Sequence, residues 1–308
     1  MELVKSVTFD ENQIFELEMH SFLNVLSVLS GIIQIIEDEA GPHNAFRGPL
    51  TEIFRQSDAI RSNNRKVFNP KGLIQLKNDV LASFEVFEAK KPDFCAEDSY
   101  KQLRSSLDDI FSVFDVRIAE LEARYESPDK WEIFTTEEFK EDFRKFFYAM
   151  EKSSNGRYRI IYNIAEQDER DYLVSLEIDS ELNGYIAMPY LLKDVVRDII
   201  ANARKYTPPG GDITIGIAIT SNTLRFLCED SGYGIPEDEI GQVVDFGFRA
   251  SNIRNKIRTM GGGFGLTKAY YITKKLGGRF WIESELNKGT RISIQIPLPE
   301  AILNEIKG

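Results

Sequence analysis

The sequence predicts an α+β chain of two domains, an N-terminal helical bundle over 1–128 and a C-terminal α/β sandwich over 129–308. Three observations carry this expectation. Apolar residues up to about residue 126 recur at helical spacing, Ser127-Pro128-Asp129 interrupts that period, and beyond it short alternating runs interleave with amphipathic ones. At 308 residues the length suits two domains of ordinary size.

Over 11–39, Phe15, Met19, Phe22, Leu26, Leu29, Ile33 and Ile36 step by four and three, the seam of one continuous helix in a bundle. Val25, Val28, Ile32 and Ile35 form a second stripe that widens the expected buried arc, and Gly41-Pro42 stops the helix. Further helices are expected over 50–67, 72–90 and 97–125. The last carries Leu103, Leu107, Ile110, Phe114, Ile118 and Leu121 on one face. After the break, 136–152 reads as a helix, 157–163 and 172–178 alternate as strands, and 188–206 is helical. Residues 212–219 and 223–229 make a hairpin about Ser221-Asn222. A helix over 266–276 and a second hairpin, 278–284 with 290–296, complete the reading.

Composition narrows the function classes. Lys plus Arg number 38 against 49 Asp plus Glu, a formal net charge of −11, which disfavours a surface built to neutralise nucleic acid. No apolar run reaches the roughly 20 residues that span a bilayer, and Met1-Glu2-Leu3-Val4-Lys5 lacks the layout of a signal peptide. Two distant cysteines, Cys95 and Cys228, point to a reduced, cytoplasmic setting. Two histidines, His20 and His43, are too few for a multi-histidine metal centre.

Four elements in the second half could carry chemistry. Asp230-Ser231-Gly232-Tyr233-Gly234 follows a strand; its Asp can accept from an exocyclic amine, and its glycines let a flat ring approach, although such a run also serves as a plain tight turn. The glycines from Gly261 to Gly265, with Leu266, precede a helix whose free amides suit phosphate. Between them lies a basic stretch, Arg249, Arg254, Lys256 and Arg258, read equally as a solvated loop or a cover over a ligand. Upstream, Asp198, Asn202 and Lys205 share one helix face, and an amide oxygen from Asn202 can complete a Mg²⁺ shell.

In this order the elements resemble the ATP-binding domain of sensor histidine kinases, within the Bergerat-fold (GHKL) ATPases. The run from Asp198 through Asn202, Lys205 and Tyr206 to Pro208 resembles the family's N box, and Asp230, Gly232 and Gly234 its first glycine box. Phe246 to Arg249 resembles the F box, Gly261 to Leu266 the second glycine box, and Lys288-Gly289-Thr290 the closing strand pair. The resemblance covers about 188–299. It implies ATP and Mg²⁺ as cofactors, with Asn202 holding the metal, Lys205 the phosphates and Asp230 the adenine amine. Tyr206, Gly232, Gly234, Gly263, Gly265, Leu266 and Thr290 would complete the nucleotide site, and the basic stretch would be its lid. Where the family usually has Asn, this chain has Asp198, a residue type that serves as general base in the ATP-hydrolysing relatives; a surface Asp or a water-mediated Mg²⁺ contact is the alternative.

His20 lies in Met19-His20-Ser21-Phe22-Leu23-Asn24, which resembles the histidine-box helix of these kinases, with Gly31 also fitting. The resemblance makes His20 the phosphoacceptor, since neutral imidazole is nucleophilic near pH 7. It makes Asn24, one turn on, the residue that positions water for dephosphorylating a response regulator. Ser21 stands where the family has an acidic residue, so phosphatase chemistry matches better than autokinase chemistry. The interval from His20 to Asn202 exceeds what a two-helix dimerisation domain needs. The surplus helices either insert between two bundle helices or supply a bundle within one chain.

The expectation is therefore a cytoplasmic histidine kinase passing the ATP γ-phosphoryl group to His20 and on to an Asp of a receiver domain, working as a homodimer. A nucleotide-binding regulatory scaffold is one alternative, for which Ser21 is the mark. An ATPase or serine kinase of the same fold is another, for which Asp198 is the mark.

Overall fold

The computed structural model describes all residues except 42–43, 127–129, 153, 155, 221, 255–262 and 308, with the side chains of 120, 123–126 and 307 also left aside. His43, Ser127, Pro128, Ser221, Lys256, Arg258, Gly261 and Gly262 thus lie outside the described residues. The chain divides into two compact units, Thr8–Pro128 and a second built from Met1–Val7 with Asp129–Gly308.

The helical unit holds α1 (Glu11–Glu18), α2 (His20–Ala40), α3 (Arg47–Arg61), α4 (Pro70–Lys90), α5 (Pro92–Cys95) and α6 (Asp98–Glu126). Asp10 caps α1 with a full capping box, its carboxylate accepting from the Gln13 amide while the Gln13 side chain accepts from the Asp10 amide. The single helix expected over 11–39 is broken at Met19, whose φ of −102° and ψ of 8° leave the helical basin directly before His20. The seam itself is as the spacing predicts: Phe15, Met19, Phe22, Leu26, Leu29, Ile33 and Ile36 are all buried. The second stripe is not, because only Ile32 is buried while Val28 and Ile35 face solvent. The helix expected to reach Val67 stops at Arg61, where Asn63 adopts a left-handed φ of 51° and turns the chain. Asn69 then starts α4, accepting from the Gly72 amide with Pro70 at the first helical position.

The surplus helices close the core. Helices α2 and α6 pack on each other, α3 packs on α1, α2 and α4, and α4 packs on α6. The resulting bundle lies within one chain, with Phe68, Leu73, Leu76, Val80, Phe84, Phe87, Leu107 and Phe114 filling it opposite the α2 seam. By length and composition α2 is the one described helix apolar enough to cross a membrane, yet over half of that window is buried in the bundle. A core helix meets that test for the same reason a spanning one does.

The second unit has β1 (Trp131–Thr135), α7 (Thr136–Lys152), β2 (Ile160–Ile161), β3 (Tyr172–Ser180), β4 (Tyr185–Pro189) and α8 (Tyr190–Tyr206). It continues with β5 (Asp212–Ile219), β6 (Thr223–Asp230), α9 (Gly265–Lys275), β7 (Arg279–Glu285), β8 (Gly289–Pro297) and α10 (Glu300–Lys307). Six strands form one mixed sheet in the order β2-β3-β5-β6-β8-β7, and β1 pairs with β4 separately. Alternate residues are buried along β5 (Ile213, Ile215, Ile217, Ile219) and β8 (Ile292, Ile294, Ile296), so one face is covered. Helices α7, α8 and α9 pack against these strands, giving a two-layer α/β sandwich.

Sequence periodicity missed β1, β4 and α10, and it extended the β2 strand too far. Residues 188–189, read as helix, end β4. The first seven residues, grouped with the helical half by sequence, dock instead on the free edge of β7. Leu3 donates to the Phe280 carbonyl, Glu2 bridges Trp281 and pairs with Arg279, and the Tyr270 hydroxyl donates to the Lys5 carbonyl at 2.6 Å. This covers a sheet edge that would otherwise present unpaired backbone groups.

Candidate functional site

The predicted N box, first glycine box and second glycine box meet at the C-terminal end of α8. This helix buries Leu192, Val195, Val196, Ile199 and Ile200 against the sheet, which leaves Asn202, Lys205 and Tyr206 half-exposed on its last turn. Thr207 ends it in extended geometry, its hydroxyl donating back to the Ala203 carbonyl at 2.7 Å.

Strand β6 delivers Asp230 beside that turn. The following loop runs so close to α8 that a Cβ on Gly232 would stand 2.4 Å from the Tyr206 carbonyl oxygen, and the Tyr233 amide donates to that same oxygen at 3.0 Å. Only glycine fits there. The Gly232 amide donates to Asp230 Oδ1 at 2.9 Å, and the Thr290 backbone, opposite Asp230 in the sheet, donates as well. Burial nonetheless outweighs these bonds and raises the Asp230 carboxyl to about 6. Gly234 sits buried against the β7–β8 turn, and the Thr290 hydroxyl pairs with that of Ser284 at 2.8 Å, bracing the floor beneath Asp230.

Helix α9 brings the second glycine box. A Cβ on Gly265 would lie 2.5 Å from Asn202 Nδ2, so the first turn of α9 abuts the Asn202 amide. Gly263 lies against Phe248 and Arg249, and the Phe246 and Phe264 rings sit 4.6 Å apart, which joins the F box to the same corner. Leu266 packs on the hydrophobic core, so its position is accounted for by packing. Lys205 Nζ lies 5.1 Å from the Tyr206 ring centroid. Desolvation, with Arg249 and Arg204 nearby, lowers the Lys205 ammonium to about 8, and burial raises the Tyr206 phenol. Beyond Arg249, the Arg254 guanidinium donates to the Arg249 carbonyl, and the Asn252 amide donates to the carbonyls of Tyr233 and Gly234.

Such a corner can take a nucleotide. It holds a half-buried carboxylate acceptor beside close-packed glycine backbone, a helix N-terminus with Asn202 against it, and the cations of Lys205 and Arg249 near each other. Among the described residues no group of three or more His, Cys, Asp or Glu is placed to hold a metal ion, so a metal would rely on few protein ligands. Mg²⁺, which keeps waters and phosphate oxygens, suits that donor set with Asn202 as its protein ligand.

Asp198 does not stand free as a base. Lys268 of α9 holds its carboxylate at 2.7 Å and that of Asp194 at 2.8 Å. Neither Lys268 nor Asp194 was flagged by sequence reasoning. Both sit amid apolar positions of their helices, and a charge inside an apolar stripe is the signal that would have found them. His20 and Asn24 lie in the helical unit. His20 opens α2 and is only 8% exposed, and Asn24 faces solvent.

Residues 188–300 match the family described as histidine kinase-, DNA gyrase B-, and HSP90-like ATPase. The chain is 32% identical over 123 residues to the adaptive-response sensory kinase SasA of Synechococcus elongatus, covering 40% of this chain and 31% of SasA. It is 35% identical over 112 residues to the sensor histidine kinase WalK of Bacillus subtilis, covering 35% of this chain and 18% of WalK. The chain thus spans less than a third of the length of these relatives. A solved catalytic domain of the histidine kinase ThkA superposes with a TM-score of 0.39 at 20% identity, over 55% of this chain and 97% of that one.

Proposed function

We propose that the protein is a cytoplasmic histidine kinase that binds Mg²⁺·ATP in its second unit, passes the γ-phosphoryl group to His20, and from there to an Asp of a receiver domain. The observation that carries the reading is the convergence of Asn202, Lys205, Asp230 and the first turn of α9 on one corner.

In this reading Asp230 accepts from the adenine amine, and Gly232 and Gly234 let the ring lie on the backbone. Lys205, with Arg249, neutralises phosphate charge, and the α9 amides add their dipole to it. Asn202 holds Mg²⁺, which supplies charge neutralisation when bound. Most of the rate would come from positioning and charge stabilisation, as is general for phosphoryl transfer.

His20 supplies the nucleophilic ring, and its burial means that the ring must be uncovered first. The break at Met19, immediately before it, is the place where the backbone departs from helix and can yield. Asn24, exposed one turn later, suits the positioning of a water in a phosphatase step. A homodimer belongs to the proposal. Since α3, α4 and α6 already fill the α2 seam, the dimer would use another face, and on α2 itself the exposed large apolar residues are Val28 and Ile35.

The test is incubation with γ-labelled ATP beside a nucleotide titration. Acid-labile label on a chain that binds ATP supports the reading, and binding without label to chain or receiver sinks it. Such an outcome would favour a nucleotide-binding regulatory protein, the second reading, which the burial of His20 and the presence of Ser21 favour.

A further inference from the structure

We infer that Lys268 is a positioning residue that ties up Asp198, so that the nucleotide corner withholds the γ-phosphoryl group from water and keeps it for a protein acceptor. The inference rests on the nucleotide reading above and adds a residue that no motif contains.

Lys268 Nζ lies 2.8 Å from Asp194 Oδ2 and 2.7 Å from Asp198 Oδ2, and its side chain is 1% exposed. Three charges are taken out of water here. Such clusters are often no more stable than apolar residues of the same volume, so stability alone does not explain them. The surroundings are suited to an apolar residue: Ala269 and Ile272 flank Lys268 on α9, and Val195 and Ile199 flank Asp194 and Asp198 on α8. The charge sits next to the chemistry. Asp198 is one helical turn before Asn202, and Lys268 is one turn after Gly265, the residue packed on the Asn202 amide. Two adjacent cross-links therefore join α8 to α9, one at the amide that would hold the metal and one at the acid that would activate water.

Unlike Asp194, the Asp198 side chain keeps 20% of its surface, so it borders solvent. A carboxylate in that place could accept a proton from a water attacking the γ-phosphorus. The water oxygen would bond to phosphorus, the bridging P–O bond would break with its electron pair leaving on ADP, and the water proton would pass to Asp198. Lys268 opposes the last transfer. Its ammonium already donates to Asp198 Oδ2 at 2.7 Å, so that oxygen is engaged by a cation rather than open to the proton of a water. Burial alone would depress the Lys268 ammonium, but the two acids hold it above its ordinary value, so the cation persists.

The test is a charge-balanced double variant, Asp194→Asn with Lys268→Met, which leaves the cluster at its original net charge and nearly its original volume. Phosphate release from Mg²⁺·ATP is followed across pH, with ATP affinity measured by calorimetry and folding by circular dichroism. We expect affinity within about threefold of wild type and phosphate release at least tenfold higher, on the scale of general-base catalysis. The rate should gain a new limb rising with pH through the carboxylate range, and adding Asp198→Asn should remove the gain. Lys268→Arg alone, which keeps a cation on the pair, should stay at the wild-type rate. If the double variant melts early, Asp194→Asn with Lys268→Gln, which keeps the charge balance and a polar side chain, carries the same test. Unchanged release with ATP bound, a gain that survives Asp198→Asn, or an equal gain in Lys268→Arg overturns the inference. A wild-type chain that binds no ATP overturns the nucleotide reading together with it.

Discussion

The two units bury different things. The helical unit closes over apolar residues contributed by α1, α2, α3, α4 and α6, and its side-chain ion pairs, such as Lys77 with Asp115 and Arg55 with Glu52, lie toward solvent. The α/β unit has a larger apolar core, yet it also buries Asp194 and Lys268 outright and half-buries Asp230, Lys205 and Asn202 at one corner. Burying charge costs stability unless partners compensate. The contrast therefore separates a unit whose interior is apolar from one that gives up some stability to bury charge at one corner.

The sharpest way to break this comparison is in the bundle. Leu29→Ala, at a fully buried seam position, should lower the stability of the helical unit by about 3 kcal/mol. Nucleotide affinity should stay unchanged, as read by denaturant melts beside an ATP titration; a parallel loss of affinity would mean that the units do not divide their labour this way. Asp230→Asn reverses the experiment. It should cost ATP roughly thirtyfold in affinity, the scale of a hydrogen bond to a charged group, with little effect on the bundle melt.

Titration gives a third contrast, because Asp230 and Lys205 at the corner are both shifted toward neutrality. In the proposed function, binding uses the Asp230 carboxylate and the Lys205 ammonium. Affinity should therefore fall below about pH 6 as Asp230 gains its proton, and above about pH 8 as Lys205 loses one. Each limb approaches about tenfold per pH unit. A flat profile between pH 5 and 9 would remove both residues from the site. A smaller effect is expected from Gly265→Ala, whose added methyl would stand 2.5 Å from the Asn202 amide and displace it, weakening Mg²⁺·ATP about fivefold. Smallest of all, Val28→Asp on the exposed face of α2 should change stability within about 0.5 kcal/mol. If the chain dimerises through that face, light scattering should nonetheless record a shift toward monomer.

Legibility in the sequence follows the same division. The nucleotide corner could be read because its geometry admits few residue types. Gly232 and Gly265 are fixed by close approach to Tyr206 and Asn202, and Asp230 by its place at a strand end. The bundle seam was equally plain, since every residue of the Phe15 to Ile36 series is buried. What periodicity could not give was arrangement. It carries no information on which helices share a core, so the closing of the bundle by α3 and α4 was invisible. The break at Met19 was also hidden, because no Pro or Gly marks it. The docking of Met1–Val7 on β7 involves contacts more than 260 residues apart, beyond any local signal. Lys268 shows in the sequence only as a charge inside an apolar stripe, and its partners on α8 are set by tertiary packing that periodicity does not carry.

The most direct test of the central claim is the mass of the intact chain after incubation with Mg²⁺·ATP, followed by mapping of any adduct. The account predicts a single phosphoryl group, lost in acid and stable in base, on the peptide holding Met19-His20-Ser21, and absent from His20→Ala. A chain that binds ATP but gains no adduct, or carries one on another residue, would contradict it.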